Sequence, residues 1–419
     1  MMFTEIDPNI IHSGQQKIDW AFAHMPVLNR IAENFDAEKP FQDLRIAVSI
    51  HVEAKTACLV KVLARGGAEV ALTGCNPLST QDDVAASLAQ TGIQVYCRHG
   101  VDSETYYEHL RQALAFRPHL IIDDGGDFAR LLHTSCKDLA TDLIGGSEET
   151  TTGVNRLRTL EKAGRLAYPV IAVNDARCKH LFDNRYGTGQ SVLTAIMATT
   201  NLLIAGKVVV VAGFGMCGKG VAQRARALGA RVVITEVDPV RACEALMEGY
   251  DVMNMKQAAT IGDLFVTVTG CRDVITKEHF LIMKNGAILC NAGHFDVEIN
   301  LLDLKFLAQS VRDVRAGVEN YQLSEDKNIR VLARGRLVNL AAGDGHPAEI
   351  MDMSFALQAL STRHLARYGR AMKPAVYEIP EDIDRAVAQG MLTAMNKSID
   401  ELSPDQVRYL ENWDPDTKI

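Results

Sequence analysis

The chain lacks any long uninterrupted apolar run: its longest, around NLLIAGKVVVVAGFG, is broken by Lys207 and by glycines. No membrane span is therefore expected. The opening MMFTEIDPNI has neither a basic n-region nor an apolar h-region, so no export signal is read there and a cytoplasmic location is expected. Low-complexity tracts and internal repeats are missing too, which argues against disordered and solenoid architectures. Cationic surplus is absent: 44 Lys and Arg face 52 Asp and Glu, a formal charge of −8, and the cations are scattered. Nucleic acid and anionic membrane are excluded as partners, and small neutral or zwitterionic substrates fit better. The nine cysteines form neither a C-x-x-C nor a paired ligand spacing, so no metal site is expected. Cys58, Cys75, Cys97, Cys217 and Cys290 stand mostly in apolar segments and read as buried thiols of a reducing compartment.

What is present is enough for two domains: 419 residues, 47% of them hydrophobic. From Arg45 the sequence alternates strand and helix, as RIAVSI, EAKTACLVKVLARGG, EVALTG, STQDDVAASLAQTG, QVYC and HLIIDDGGD. That rhythm predicts a doubly wound α/β domain, with His51, Asn76 and Asp124 outside the carboxyl ends of its strands, where ligands gather.

A second α/β unit, from about Gly187 to Ala342, opens on VVVVAGFGMCGKGVAQRARALGARVVITEVDP. Gly213, Gly215 and Gly218 have the G-x-G-x-x-G spacing between two β-branched strands: one glycine for the tight turn, one for the approach of backbone to pyrophosphate, one for close helix–strand packing. The helix start offers unpaired N–H groups and a positive dipole end. Glu236, at the end of the next strand, suits both hydroxyls of a ribose and repels a 2′-phosphate. NAD rather than NADP is the expected cofactor. Further strands are expected at LFVTVTG and AILCNAG, and the chain from GDGHPAEIM onward turns helical before a polar end, DPDTKI.

Six longer strings, CNPLSTQDD, IIDDGGDFARLLH, GGSEETTTGVNRL, VNDARCKHLFDNRYG, CNAGHFDVEI and GRLVNLAAGDGHP, resemble those of the S-adenosyl-L-homocysteine hydrolase family, in order and through nearly the whole chain. The resemblance implies a substrate-binding domain of residues 1–186 and 343–385, a central Rossmann NAD-binding domain of residues 187–342, and a shortened C-terminal dimerisation segment, 386–419. It also implies a homotetramer. In that family tightly held NAD serves a reaction without net redox change. Oxidation of the ribose 3′-hydroxyl acidifies the C4′ hydrogen and puts sulfur β to an enolate, homocysteine is eliminated, water adds, and re-reduction frees the nucleoside.

The family pattern assigns Lys179 as base for the 3′-hydroxyl, provided its pKa is depressed, with Asp183 beside it and Asn184 orienting the pair. Without the motif, Lys179 and Asp183 would read as a solvated i, i+4 pair. Asp124 resembles the residue that takes the C4′ proton, and His51 and His294 would stand near sulfur and water. Glu149 matches the carboxylate that binds the ribose hydroxyls. Thr150, Thr151 and Thr152 would face the nicotinamide end of NAD, and Asn339 its carboxamide. His294 and Phe295 match a pair that gates access, and His346 and Met351 line the nucleobase pocket.

SIHVEAKTA departs from the pattern. Where a Thr and a Glu or Gln are usual, this chain has Glu53 and Lys55, followed by Thr56. A carboxylate only accepts and an ammonium only donates, so Glu53 toward N1–H and Lys55 toward O6 complement hypoxanthine and mismatch adenine. Each buried mismatch costs about 1–3 kcal/mol. An S-inosylhomocysteine substrate, made by prior deamination of the adenosyl compound, competes here with an adenosyl substrate read through water or backbone. Thr188 replaces a cysteine common near the nicotinamide, and the tail that reaches the neighbouring subunit's NAD is short, with Lys418 unassigned. Two other functions fit parts of the sequence: an ordinary NAD dehydrogenase that releases NADH, and a catalytically silent NAD-binding regulator.

Overall fold

The computed structural model describes residues 7–411, so the final WDPDTKI, with Lys418, lies outside the described residues. In chain order the strands are β1 (Arg45–Ser49), β2 (Glu69–Thr73), β3 (Gln94–Tyr96), β4 (Leu120–Asp123), β5 (Gly145–Glu148) and β6 (Val170–Ala172). They continue as β7 (Val208–Ala212), β8 (Arg231–Thr235), β9 (Asp251–Val252), β10 (Leu264–Thr267) and β11 (Ala287–Asn291). Last come β12 (Ser310–Arg315), β13 (Val318–Ser324), β14 (Lys327–Leu332) and β15 (Val376–Tyr377).

These make two sheets. The first is parallel throughout, in the order β15-β6-β5-β4-β1-β2-β3. The second runs β12-β13-β14-β11-β10-β7-β8-β9. Helices cover both faces, so central strands show no polar alternation. Instead, alternate residues feed different cores. Ile46 and Val48 pack on one side of the first sheet and Ala47 on the other, as Val209 and Val211 oppose Val210 in the second. The fold is thus the α/β pair of doubly wound units that the alternation predicts.

Each sheet has a point where its winding reverses, between β1 and β4 in the first and between β7 and β10 in the second. Segments leaving both points converge on one cleft, and this is what positions the site.

Several elements escaped the sequence reading. Helices Pro8–Ala23 and Pro26–Glu38 precede β1. β12, β13 and β14 form an antiparallel meander that widens the second sheet. The helical segment expected from GDGHPAEIM onward is the 21-residue helix Ala348–Tyr368, which leads back to the first sheet, where the unexpected β15 pairs with β6. Such pairings are long-range and leave no local periodicity. Four of the five cysteines expected inside are buried; Cys217 is only half-buried, because it lines the cleft.

Candidate active site

His51 follows β1, Asp124 follows β4, and His294 follows β11. Their side chains meet. His51 Nε2 lies 3.5 Å from one Asp124 oxygen and His294 Nδ1 3.5 Å from the other. Ser79 Oγ, 2.7 Å from His51 Nδ1, orients the first ring. Burial, opposed by Asp124, brings the His51 pKa down to about 4, so this imidazole is neutral near pH 7. Ligand-type atoms of the three lie within 4.8 Å of one another, a donor set a divalent ion can accept and one that sequence spacing did not disclose. Asn76, by contrast, spends its side chain on the Leu78 N–H of its own turn.

Lys179, Asp183 and Asn184 lie on a π-helical stretch, Lys179–Gly187. Its i→i+5 closure brings Lys179 and Asn184 to one side, where an α-helix would swing residue i+5 away. Lys179 Nζ accordingly donates to Asn184 Oδ1 at 2.9 Å and lies 3.1 Å from Asp183 and 3.3 Å from Glu149. The stretch is pinned from outside the unit's sequence neighbourhood: Asp384 accepts the Arg177 and Cys178 N–H groups at 2.9 Å each. Lys179 and Asp183 are 6% and 1% exposed, so the solvated-pair reading is wrong.

The expected depression of the Lys179 pKa is also not what the structure gives. Burial pushes it down, but Asp183 and Glu149 more than offset this, and the amine is held well above its ordinary range. Glu149 carries the complementary shift: burial, only partly relieved by Lys179, raises it to about 7. The proton of this pair is therefore shared on terms that favour the amine. One Glu149 oxygen accepts from Gln358 Nε2 at 2.5 Å, while its other oxygen has no hydrogen bond. His346 Nδ1 is 2.5 Å from Asp183 Oδ1, and against burial Lys179 and His346 hold the Asp183 carboxyl well below the usual carboxylate range.

Glu53 and Thr56 line the cleft beside Ile50 and Met351; Lys55 does not. Glu53 caps the helix Ala54–Arg65, accepting from the Lys55 and Thr56 N–H groups at 3.0 and 3.2 Å. Lys55 Nζ lies behind it, 2.5 Å from Glu53 and bonded to the Asp344 carbonyl. The expected outward reach of Lys55 to a base oxygen is corrected accordingly: its donors go first to Glu53 and to Asp344.

In the second unit Gly213 has φ +103°, which favours glycine, and a Cβ on Gly218 would collide with the Gly213 carbonyl. The helix starts at Met216, so Gly218 lies within its first turn rather than at its start. Half-buried Glu236 ties the turn to β8 by accepting the Phe214 N–H at 2.7 Å. Asn339 donates to Ser191 and keeps a buried, unpartnered carbonyl oxygen on the cleft, the acceptor an amide NH₂ needs. Of the three threonines Thr150 lines the cleft, Thr152 faces Gly270 of the second unit, and Thr151 is exposed. These residues fit a dinucleotide. Thr188 lies 3.6 Å from the Cys217 thiol, so a sulfhydryl borders the cleft even though Thr occupies the usual cysteine position.

Phe295 is outside the cleft wall, packed edge-on to His294 and beneath Arg156. Ser354, Gln358, Phe355 and Cys217 were missed. Ser354 bonds Asp183 at 2.5 Å, and with Gln358 it makes an i, i+4 polar pair buried in a long helix. That polar stripe was the available signal.

Residues 3–144 match the sequence profile of S-adenosyl-L-homocysteine hydrolase, and residues 184–345 that of its NAD binding domain. The chain is 56% identical over 412 residues to an S-inosyl-L-homocysteine hydrolase of Methanocaldococcus jannaschii, covering 98% of this chain and 99% of the relative. An S-inosyl-L-homocysteine hydrolase of Methanococcus maripaludis is 54% identical over 97% of this chain and 98% of the relative. An adenosylhomocysteinase of Archaeoglobus fulgidus is 54% identical over 96% and 98%.

Proposed function

Since this chain belongs to the S-adenosyl-L-homocysteine hydrolase family, and so hydrolyses the thioether of an S-nucleosyl-L-homocysteine with NAD as bound cofactor, we propose that its preferred nucleobase is hypoxanthine. One observation carries this: a buried carboxylate, Glu53, lines the cleft with Lys55 fixed behind it. It accepts from N1–H of hypoxanthine and meets only another acceptor at N1 of adenine. Relatives named for either substrate resemble the chain almost equally, so the residue rather than the name supports the choice.

Bound NAD supplies the reversible oxidation of the ribose 3′ carbon. The unpartnered oxygen of Glu149, with Asp183 beside it, accepts the ribose hydroxyls, and Lys179, once its proton has passed to Glu149, takes the 3′-hydroxyl proton. Asp124 takes the C4′ proton. Lying 3.5 Å from both imidazoles, it can hand that proton to His51 or His294 for the departing sulfur, and neutral His51 then activates the incoming water. Asn184 orients Lys179, Asn339 and Thr150 to Thr152 hold the nicotinamide end, and the Gly213–Gly218 turn with Glu236 holds the pyrophosphate and ribose. His346, Met351 and Thr56 complete the base pocket, and His294 with Phe295 gates it.

The same reading takes residues 1–186 and 343–385 as the substrate domain, 187–342 as the cofactor domain, and 386–419 as a dimerisation segment. It takes the protein as a cytoplasmic homotetramer, supported by exposed apolar side chains such as Val237 and Phe306 and by its free thiols. Light scattering after gel filtration tests the assembly. Parallel steady-state kinetics on the inosyl and adenosyl thioethers test the substrate: a higher kcat/KM for inosyl is expected, and the reverse order sinks the base assignment.

A further inference from the structure

Arg156 has no part in the chemistry above and does not line the cleft, yet it bridges the two units directly behind His294. It projects from the helix Thr151–Lys162, whose first turn carries the threonines. Its guanidinium carbon sits 4.3 Å from the centre of the Phe295 ring, on the loop after β11. Its Nη1 donates to the Gly125 carbonyl at 2.9 Å and lies 3.6 Å from Asp127. One planar cation thus grips the Asp124–Asp127 loop of the first sheet and covers an aromatic ring of the second.

The neighbouring geometry gives this grip a purpose. Gly125 has φ +101°, and any Cβ there would fall inside the His294 ring, so His294 is seated directly on the backbone that Arg156 holds. Phe295 packs edge-on to His294, with ring centres 4.5 Å apart. Its carbonyl accepts from Asn291 Nδ2 at 2.9 Å, which ties the loop back to the end of its own strand and not to the first unit. Hydrogen bonds that cross from the first unit to this loop are absent among the described residues; Arg156 meets it through a ring face. A cation over an aromatic face is adequate for a joint that must open every turnover: it favours one seating without requiring a single donor–acceptor line.

We propose that Arg156 is the latch of the His294–Phe295 gate, a positioning residue that sets how long a bound nucleoside stays in the cleft. The proposal rests on the gating role assigned to that pair. Its latch contact is made to Phe295, so its effect runs through that ring. An oxidised nucleoside that escapes leaves the cofactor reduced and the subunit stalled, so retention matters more here than in an enzyme whose intermediates are harmless.

The test uses the NAD-loaded protein and two probes that lack the hydroxyl to be oxidised, 3′-deoxyinosine and 3′-deoxyadenosine, with dissociation rates read by surface plasmon resonance. Arg156→Met is expected to speed dissociation about tenfold, the factor of a partly exposed cation–π contact and its accompanying hydrogen bond. Arg156→Lys, which keeps charge but loses the planar face, falls between, and guards against a folding defect in the first variant. Hydrogen exchange at residues 293–297 should rise in parallel. Phe295→Leu should give part of the increase, and the double variant should dissociate no faster than Arg156→Met alone, because Phe295→Leu breaks a contact that Arg156→Met already removes. Unchanged dissociation and exchange in Arg156→Met, or effects that multiply in the double variant, overturn the latch. If Phe295→Leu itself leaves dissociation unchanged, the gating role fails and the latch with it; if only Phe295→Leu speeds it, gating stands and the latch alone falls.

Discussion

The two sheets share a winding and divide the work unequally. The unit around β7 meets its ligand with backbone: a glycine turn, a helix start, and Glu236, which also braces that turn. The unit around β1 meets it with side chains, and those are crowded. Lys179, Asp183, Glu149, Asp124 and His51 are all under 9% exposed, and most of those near the ribose end have proton affinities moved by burial and by one another. Holding a cofactor needs shape and a dipole, which a peptide chain supplies at little cost. Moving protons needs groups taken out of water and set against each other, which costs folding energy.

That contrast can be broken by substitution. Lys179→Met should lower kcat by at least about 10³-fold, since it removes both a proton acceptor and the counter-charge of two carboxylates, while bound NAD per subunit stays at the wild-type level. Loss of NAD along with activity would show the division of labour to be false. His51→Gln addresses stability. The folded-state pKa of His51, about 4, lies below its ordinary 6.5, so between these values the unfolded chain binds a proton that the folded one refuses. Stability from this residue is full above pH 6.5 and is lost as pH falls toward 4, on the order of 3 kcal/mol in all. Urea titrations from pH 7 to 4 should show the wild type losing more than the variant by up to that amount; equal losses would mean that His51 is not buried neutral.

The base pocket offers a smaller effect. Glu53→Thr with Lys55→Gln should shift the inosyl-to-adenosyl ratio of kcat/KM by about 10- to 100-fold toward adenosyl. Threonine can still cap the helix, so the melting temperature should move little. No shift in ratio would leave Glu53 a cap and nothing more. Smallest is Glu236→Ala, expected to weaken NAD binding about tenfold by equilibrium dialysis, with kcat at saturating NAD within about twofold of wild type. A kcat that collapsed there would give Glu236, assigned only to holding, a part in the chemistry.

The same contrast explains what could be read from sequence. The glycine turn, β7, β8 and Glu236 are contiguous, and a local motif with a local cause is legible. β1, β2 and β4 were equally plain, because both faces of a parallel strand are covered and the run stays apolar. The meeting of His51, Asp124 and His294 was not, since it depends on the ends of β1 and β4 in one sheet facing the end of β11 in the other. Nor was the orientation of Lys55, which a helix start and the Asp344 carbonyl decide. Family resemblance named most of the cleft residues, but the carboxylates that hold the Lys179 proton act through space. Their effect opposes the one the base role first calls for.

Thr188 and His346, 3.4 Å apart, stand where the chain leaves the first sheet for the second and where it comes back. Two crossings so close define a short axle. Any swing of one unit against the other turns about it, and a residue travels in proportion to its distance from that line. Asp183, in contact with His346, sits beside that line, whereas the loop bearing Phe295 leaves the second sheet after β11. The Lys179, Asp183 and Glu149 cluster is thus set beside the crossings, while His294 is carried by the other unit, so bringing the two units together is what completes the His51–Asp124–His294 group.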